Sequence, residues 1–229
     1  MTKHILPALL VLTAVHASAQ TRIAVNPKLI TAATLRGITL LELGPKARVF
    51  DEAEVKTIAA FVQQGGAVLA LIDEEKRSKL LPNGINKILA NLGMKFTPDV
   101  KYLHNCGALA KAGVINAADR EVAYSGGRAV EGGTPFGWRL GQNGKPAEVY
   151  ASYVETKAGG RVVALAEAMA NLKIWRSQGK WNGKGERLSG VPRNPAKTVY
   201  WGKDSVIFMK EVRNWLLKKQ NKPDAGDGK

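Results

Sequence analysis

The stretch DEAEVKTIAAFVQQGGAVLALID, residues 51–73, decides the architecture. Asp51 is a good helix N-cap. Glu54, three residues later, completes a capping-box pair in which two orphan backbone N–H groups are satisfied reciprocally. Val55, Ile58, Ala59 and Val62 then recur at helical spacing and place one apolar stripe against a sheet. Gly65 suits the left-handed position that follows a helix C-terminus. Ala67 to Ile72 is apolar on both faces, the pattern of a strand covered by helices on both sides. Upstream, Ile38 to Leu43 reads as a second buried strand, ended by Gly44-Pro45. Strand, helix and strand so joined predict a right-handed parallel crossover.

Working outward, Arg22 to Val25 is a short edge strand, and a second helix is expected over 83–92 with Ile85, Ile88, Leu89 and Leu92 as its stripe. Met94 to Phe96 reads as a short strand. Residues 99–144 are glycine-rich and less regular, with a strand at Glu121 to Tyr124. Glu148 to Val154 alternates, Arg161 to Ala166 is apolar, and Ala158-Gly159-Gly160 between them reads as a tight hairpin turn. Residues 173–203 are a loop rich in Gly, Lys and Trp. Asp204 is placed to cap a last helix running to Lys219, with Phe208, Val212, Trp215 and Leu216 facing inward. No internal repeat is visible.

The ends and the composition bound the protein's surroundings. Residues 1–19 read as a secretory signal: Lys3 and His4, an apolar core from Ile5 to Val15, and Ala17-Ser18-Ala19 as a small-x-small cleavage site. The apolar run is shorter than the roughly 20 residues a membrane-spanning helix needs. The expected organisation is a signal over 1–19, one α/β domain over 20–220 and a polar tail over 221–229. The location so implied is periplasmic or extracellular. The chain has a single cysteine, Cys106, so no internal disulfide can form. Its formal net charge of +15 draws it to anionic surfaces.

Three segments resemble the class I glutamine amidotransferase-like superfamily, in its non-catalytic or uncharacterised branches. They are the capped helix with Gly65-Gly66 and the strand Val68 to Ile72; the stretch Gly159-Gly160-Arg161-Val162-Val163-Ala164-Leu165; and the closing helix ending in Arg213-Asn214-Trp215-Leu216. Related domains occur in intraflagellar-transport, gliding-motility and trehalose-utilisation-like proteins. The resemblance implies a flavodoxin-like, mostly parallel sheet flanked by helices. The catalytic members carry a cysteine on a sharp elbow and a His-x-Glu downstream. Here the strand runs into Asp73-Glu74-Glu75, and no histidine follows His104. The glutaminase triad is absent, which argues against glutamine hydrolysis by that route.

Other chemistries are narrowed in the same way. His104 and Cys106 sit at i and i+2, but no third orienting group of the kind a nucleophilic pair uses is evident. One His and one Cys fall short of a zinc site. There is no phosphate-binding glycine loop of either common type, and no cofactor or specific nucleic acid is called for. Asp73 and Glu167 each follow a strand, at the end where open α/β sheets gather ligands. With Asn171 they outline a candidate crevice, in which the two carboxylates act as acid and base or hold a cation. The bland alternative is a solvated turn and a capping carboxylate. Residues 173–197 are rich in Lys and Arg with interleaved tryptophans, so Lys180, Trp181, Lys184 and Arg187 are candidate ligand contacts through stacking and charge. The bland alternative there is a basic surface loop.

The first reading is therefore an exported, non-catalytic binding module engaging an envelope glycan, an anionic polymer or a protein partner. The alternative is a hydrolase using Asp73 and Glu167, with or without a divalent cation. A third is a purely structural domain of an envelope assembly.

Overall fold

The computed structural model describes residues 21–45, 48–100, 108–122, 124, 127–140, 145–168 and 204–219. In chain order the elements are β1 (Ile23–Val25), β2 (Leu40–Leu43), α1 (Glu52–Gln63), β3 (Ala67–Leu71), α2 (Leu80–Asn83), α3 (Ile85–Ala90), β4 (Met94–Asp99), β5 (Ala108–Ala110), β6 (Arg120–Val122), β7 (Arg128–Gly132), β8 (Thr134–Leu140), β9 (Pro146–Glu155), β10 (Arg161–Leu165) and α4 (Ser205–Leu216). The signal segment over 1–19 and the tail over 221–229 lie outside the described residues, as do His104 and Cys106.

The 51–73 stretch folds as its pattern dictates. Glu54 N donates to Asp51 Oδ1 at 2.8 Å and Asp51 N donates back to Glu54 Oε2 at 3.3 Å, closing the capping box. Val55, Ile58 and Val62 are buried against the sheet, and Gly65 takes φ +92°. Burying Ile58 and Val62 completely contributes about 1.5–3 kcal/mol each. All of β3 is buried, and it pairs in parallel with β2 on one side and β10 on the other.

The flavodoxin-like, mostly parallel sheet flanked by helices does not form. The eight-stranded sheet has the order β1-β2-β3-β10-β9-β8-β5-β6. Its β1-β2-β3-β10 half is parallel, whereas β9, β8, β5 and β6 join antiparallel. A further ribbon, β4-β7, stands apart from it. Much of 99–144 therefore belongs to strands, not to irregular chain. The cause is connection length: short links between β8, β9 and β10 allow hairpins, while a parallel neighbour needs a crossover of a dozen residues or more. Helices are correspondingly few among the described residues.

Two smaller expectations are corrected as well. The helix expected over 83–92 forms as the shorter α3, with Ile85, Ile88 and Leu89 buried, and Gly84, whose φ of +70° cannot continue a right-handed helix, separates it from the preceding α2. Asp204 does not cap α4. Its Oδ2 accepts from Glu121 N at 2.8 Å, tying the helix start to β6 instead. The inward face of α4 is as expected, with Phe208, Val212, Trp215 and Leu216 buried. It is clamped by Arg213, whose Nε and Nη2 donate to the buried Glu42 carboxylate of β2 at 2.7 and 3.1 Å. Arg161 of β10 also lies 4.8 Å over the Trp215 ring. Among the described residues no helix is long and apolar enough to cross a membrane.

Candidate functional site

The carboxylates singled out in the sequence stand at the C-terminal ends of adjacent strands, since Ile72 N donates to Leu165 O across the β3–β10 pair. What fills the space there is Arg128, the first residue of β7, only 1 % exposed. Its Nε donates to Asp73 O at 2.9 Å, its Nη1 to Thr97 O at 3.1 Å and its Nη2 to Ser78 O at 3.1 Å. It also pairs with the Glu75 carboxylate, and this hydrogen bond holds the Glu75 carboxyl below its ordinary range. A buried guanidinium must satisfy its donors, and here one side chain stitches the loop after β3 to β4.

Asp73 is drawn into the same arrangement. Its Oδ1 accepts from Glu74 N at 2.8 Å, and its Oδ2 lies 3.5 Å from Arg77 Nη1. Glu167 is fully buried, near Tyr124 and Tyr150. Burial first, and the Glu167 charge second, push both phenols well above their ordinary value. The rings meet edge to face at 5.9 Å. Tyr150 is the extra residue of a bulge, because Gly137 and Trp138 of β8 oppose Ala151 and Val149 of β9. Gly127, at φ +143°, passes so close to the end of β10 that a Cβ on it would sit 2.7 Å from Ala166 O. Among the described residues no group of three or more His, Cys, Asp or Glu side chains is placed to hold a metal ion. Asn171, Lys180, Trp181, Lys184 and Arg187 lie outside the described residues.

An open concavity lies at the other end of the strands. A groove of about 770 Å³ runs between the turns over 32–37 and the C-terminal half of α1, where the chain enters β2 and β3. Lys56, Ala60 and Gln64, at i, i+4 and i+8, line one wall with Thr57 and Phe61, a stripe beside the helix's core stripe. Leu35, Arg36 and Ile38 line the other. The Phe61 ring lies over Gly66, where an added Cβ would come within 2.4 Å of it. The Arg22 guanidinium stands beside Gly37 at the rim. Arg48, Arg77, Arg120, Arg128, Arg139, Arg161 and Arg213 are all ion-paired. Arg22 and Arg36 are the described arginines that are not, and both border this groove.

Sequence reasoning missed both Arg128 and the groove. The signal for the first was Gly127-Arg128 in a glycine-rich stretch, where the glycine marks a close backbone approach. The signal for the second was the cluster Lys56, Phe61 and Gln64 on the flank of a helix whose buried stripe alone drew notice.

Comparison with known proteins changes the reading of function. The intraflagellar transport protein 52 homolog of Mus musculus is 32% identical over 111 residues, covering 45% of this chain and 25% of that protein. The chain thus spans about a quarter of the length of the curated relative it matches. The solved structure of the mmIFT52 N-terminal domain superposes with a TM-score of 0.57 at 16% identity, over 86% of this chain and 84% of that one, so the two share a fold. The family model of the IFT52 GIFT domain matches residues 13–142. These findings overturn four expectations. The family is not a glutamine amidotransferase-like one. The protein is neither a binder of an envelope glycan or anionic polymer nor a carboxylate hydrolase. A bacterial periplasmic or extracellular location is not supported, and export by a signal peptide is not shown. Matched over more than half of its length by that family model, the chain belongs to the IFT52 GIFT domain family.

Proposed function

We propose that the chain is a protein-interaction module of a multi-protein transport assembly of the intraflagellar type, and that it resides with that machinery. The observation that carries this is the family match over 13–142 together with a curated relative that is an intraflagellar transport protein. The chemistry of the two strand ends agrees with it. The Asp73 and Arg128 groups are bonded within the molecule, while the groove beside α1 stays open with its cations unspent. Lys180, Trp181, Lys184 and Arg187 are proposed as a secondary contact for a protein partner, on the strength of their alternating cationic and aromatic character. The test is chemical cross-linking in the source cells, followed by isolation of the tagged chain and mass spectrometry. Stoichiometric recovery with other intraflagellar transport subunits is the expected result. A chain that emerges from cross-linked extract as a free monomer overturns the proposal.

A further inference from the structure

Resting on that protein-interaction reading, we propose that the groove between the 32–37 turns and α1 is the docking site for an acidic segment of a partner protein, an apolar anchor residue flanked by Asp or Glu. Charge complementarity carries the argument. The lining contains Arg36 and Lys56 and no acidic residue. Arg36 and Lys56 are exposed and, among the described residues, have no side-chain hydrogen-bond or ion-pair partner. Arg22 joins them at the rim, its guanidinium held beside Gly37 and likewise without an ion pair among the described residues. Elsewhere in the described structure the arginines are neutralised by carboxylates, even exposed ones such as Arg77, which reaches Asp73 and Glu74. Two unspent arginines beside one concavity, with Lys56 on its wall, are therefore a local departure from how this chain handles its arginines, and not only a reflection of its net charge of +15.

The walls say what lies between the acids. Leu35, Ile38, Ala60 and the half-buried Phe61 ring give the groove an apolar floor, and Thr57 and Gln64 add neutral hydrogen-bonding groups. A small anion would use the cations and leave this apolar surface wet. A peptide that lays an apolar side chain on Phe61 and brings carboxylates to the rim uses both, in the manner of grooves that accept anchored segments. The groove is a trough along α1 and not an enclosed cavity, which suits a chain passing through it.

The test is selection of a random peptide library on the immobilised full chain, with the Arg36→Glu/Lys56→Glu double variant as counter-selection. Both positions are exposed, and circular dichroism and thermal melting establish that the variant is folded. The expected outcome is enrichment of peptides with Asp or Glu flanking an apolar residue. A synthetic copy of one of them should lose roughly 30-fold in affinity on the double variant, and the loss should shrink as salt is raised. Phe61→Ala should weaken the same peptide while leaving its salt dependence intact. Recovery of no peptides, or of peptides that bind both proteins equally, overturns the proposal. So does displacement of the selected peptides by millimolar inorganic phosphate without regard to their apolar residue, which would mark a small-anion site. A cross-linked assembly that forms normally with the double variant sinks this inference alone, whereas absence of any assembly with the native chain sinks the interaction reading too.

Discussion

At the C-terminal ends of β3 and β10 the charges of Arg128, Asp73 and Glu75 are spent on one another and on the chain, whereas at the N-terminal ends of β2 and β3 those of Arg22, Arg36 and Lys56 face solvent unpaired among the described residues. The two ends belong to the same parallel half of the sheet. What separates them is burial. A buried guanidinium is tolerated only with its donors satisfied, so the end that holds Arg128 becomes a structural joint. Exposed cations carry no such demand and are left for whatever the groove receives. The end that looked chemical in the sequence is the one that stabilises, and the end that looked like mere helix packing is the one left open.

The sharpest way to break this contrast is at Arg128. Its replacement by Met leaves the carbonyls of Asp73, Thr97 and Ser78 without their donor and Glu75 with only the Leu80 N–H, at 3.1 Å. Urea denaturation should show a loss of roughly 2–3 kcal/mol, the scale of leaving buried carbonyls without their donor. The Glu75 carboxyl, followed by NMR titration, should rise back toward its ordinary range. A loss under about 1 kcal/mol would mean the joint is not one. Gly127→Ala attacks the same place through the backbone. It forces an L-residue to φ +143° with a Cβ 2.7 Å from Ala166 O, and should cost about 2–3 kcal/mol in the same assay.

How much of this could be read from the sequence follows from range. The local features were legible because local residues cause them: the Asp51–Glu54 box, the left-handed Gly65, the all-buried β3, the turn at Gly159-Gly160 and the inward face of α4. The topology was legible only in part: the parallel β2–α1–β3 crossover and the β9–β10 hairpin formed as read. Nothing in those segments shows that the sheet continues antiparallel through β8 and β5. A short strand such as β5, three residues long, leaves no periodicity to detect. The site failed for a related reason. Asp73 and Glu167 were correctly placed at neighbouring strand ends, but the residue that fills that space comes from 55 positions downstream of Asp73, and sequence proximity gives no warning of it.

A third test is at Glu54, in the first turn of α1, the helix whose later turns line the groove. It caps α1, accepts from Ile30 N at 2.9 Å and pairs with Arg48 at 2.6 Å. The Arg48 hydrogen bond, working against burial and helped by those from Ile30 and Asp51, brings its carboxyl from 4.5 down to about 2. A carboxylate with a depressed folded-state pKa stabilises fully above its unfolded value. That contribution is lost as pH falls from about 4.5 through about 2. Glu54→Gln should therefore cost about 2 kcal/mol at pH 7, less than the full shift implies because Arg48 is partly exposed, and should flatten the acid limb of stability over that window. An unchanged acid limb in the variant would detach Glu54 from the effect.

The smallest expected effect separates the two ends most cleanly. Arg36→Ala and Lys56→Ala remove side chains that have no hydrogen-bond or ion-pair partner among the described residues. Nothing is left unsatisfied in the folded state, and the unfolded chain loses the same two charges. At Lys56, alanine is also a slightly better helix former. Each change should therefore alter stability by less than about 0.5 kcal/mol, in either direction. A larger loss would show that these cations already have a counterion within the chain, and the groove would then be one more internal joint like that at Arg128. A result near zero, set beside the losses at Arg128 and Gly127, means the charge at this end does nothing for the fold. What remains for it to act on is a partner.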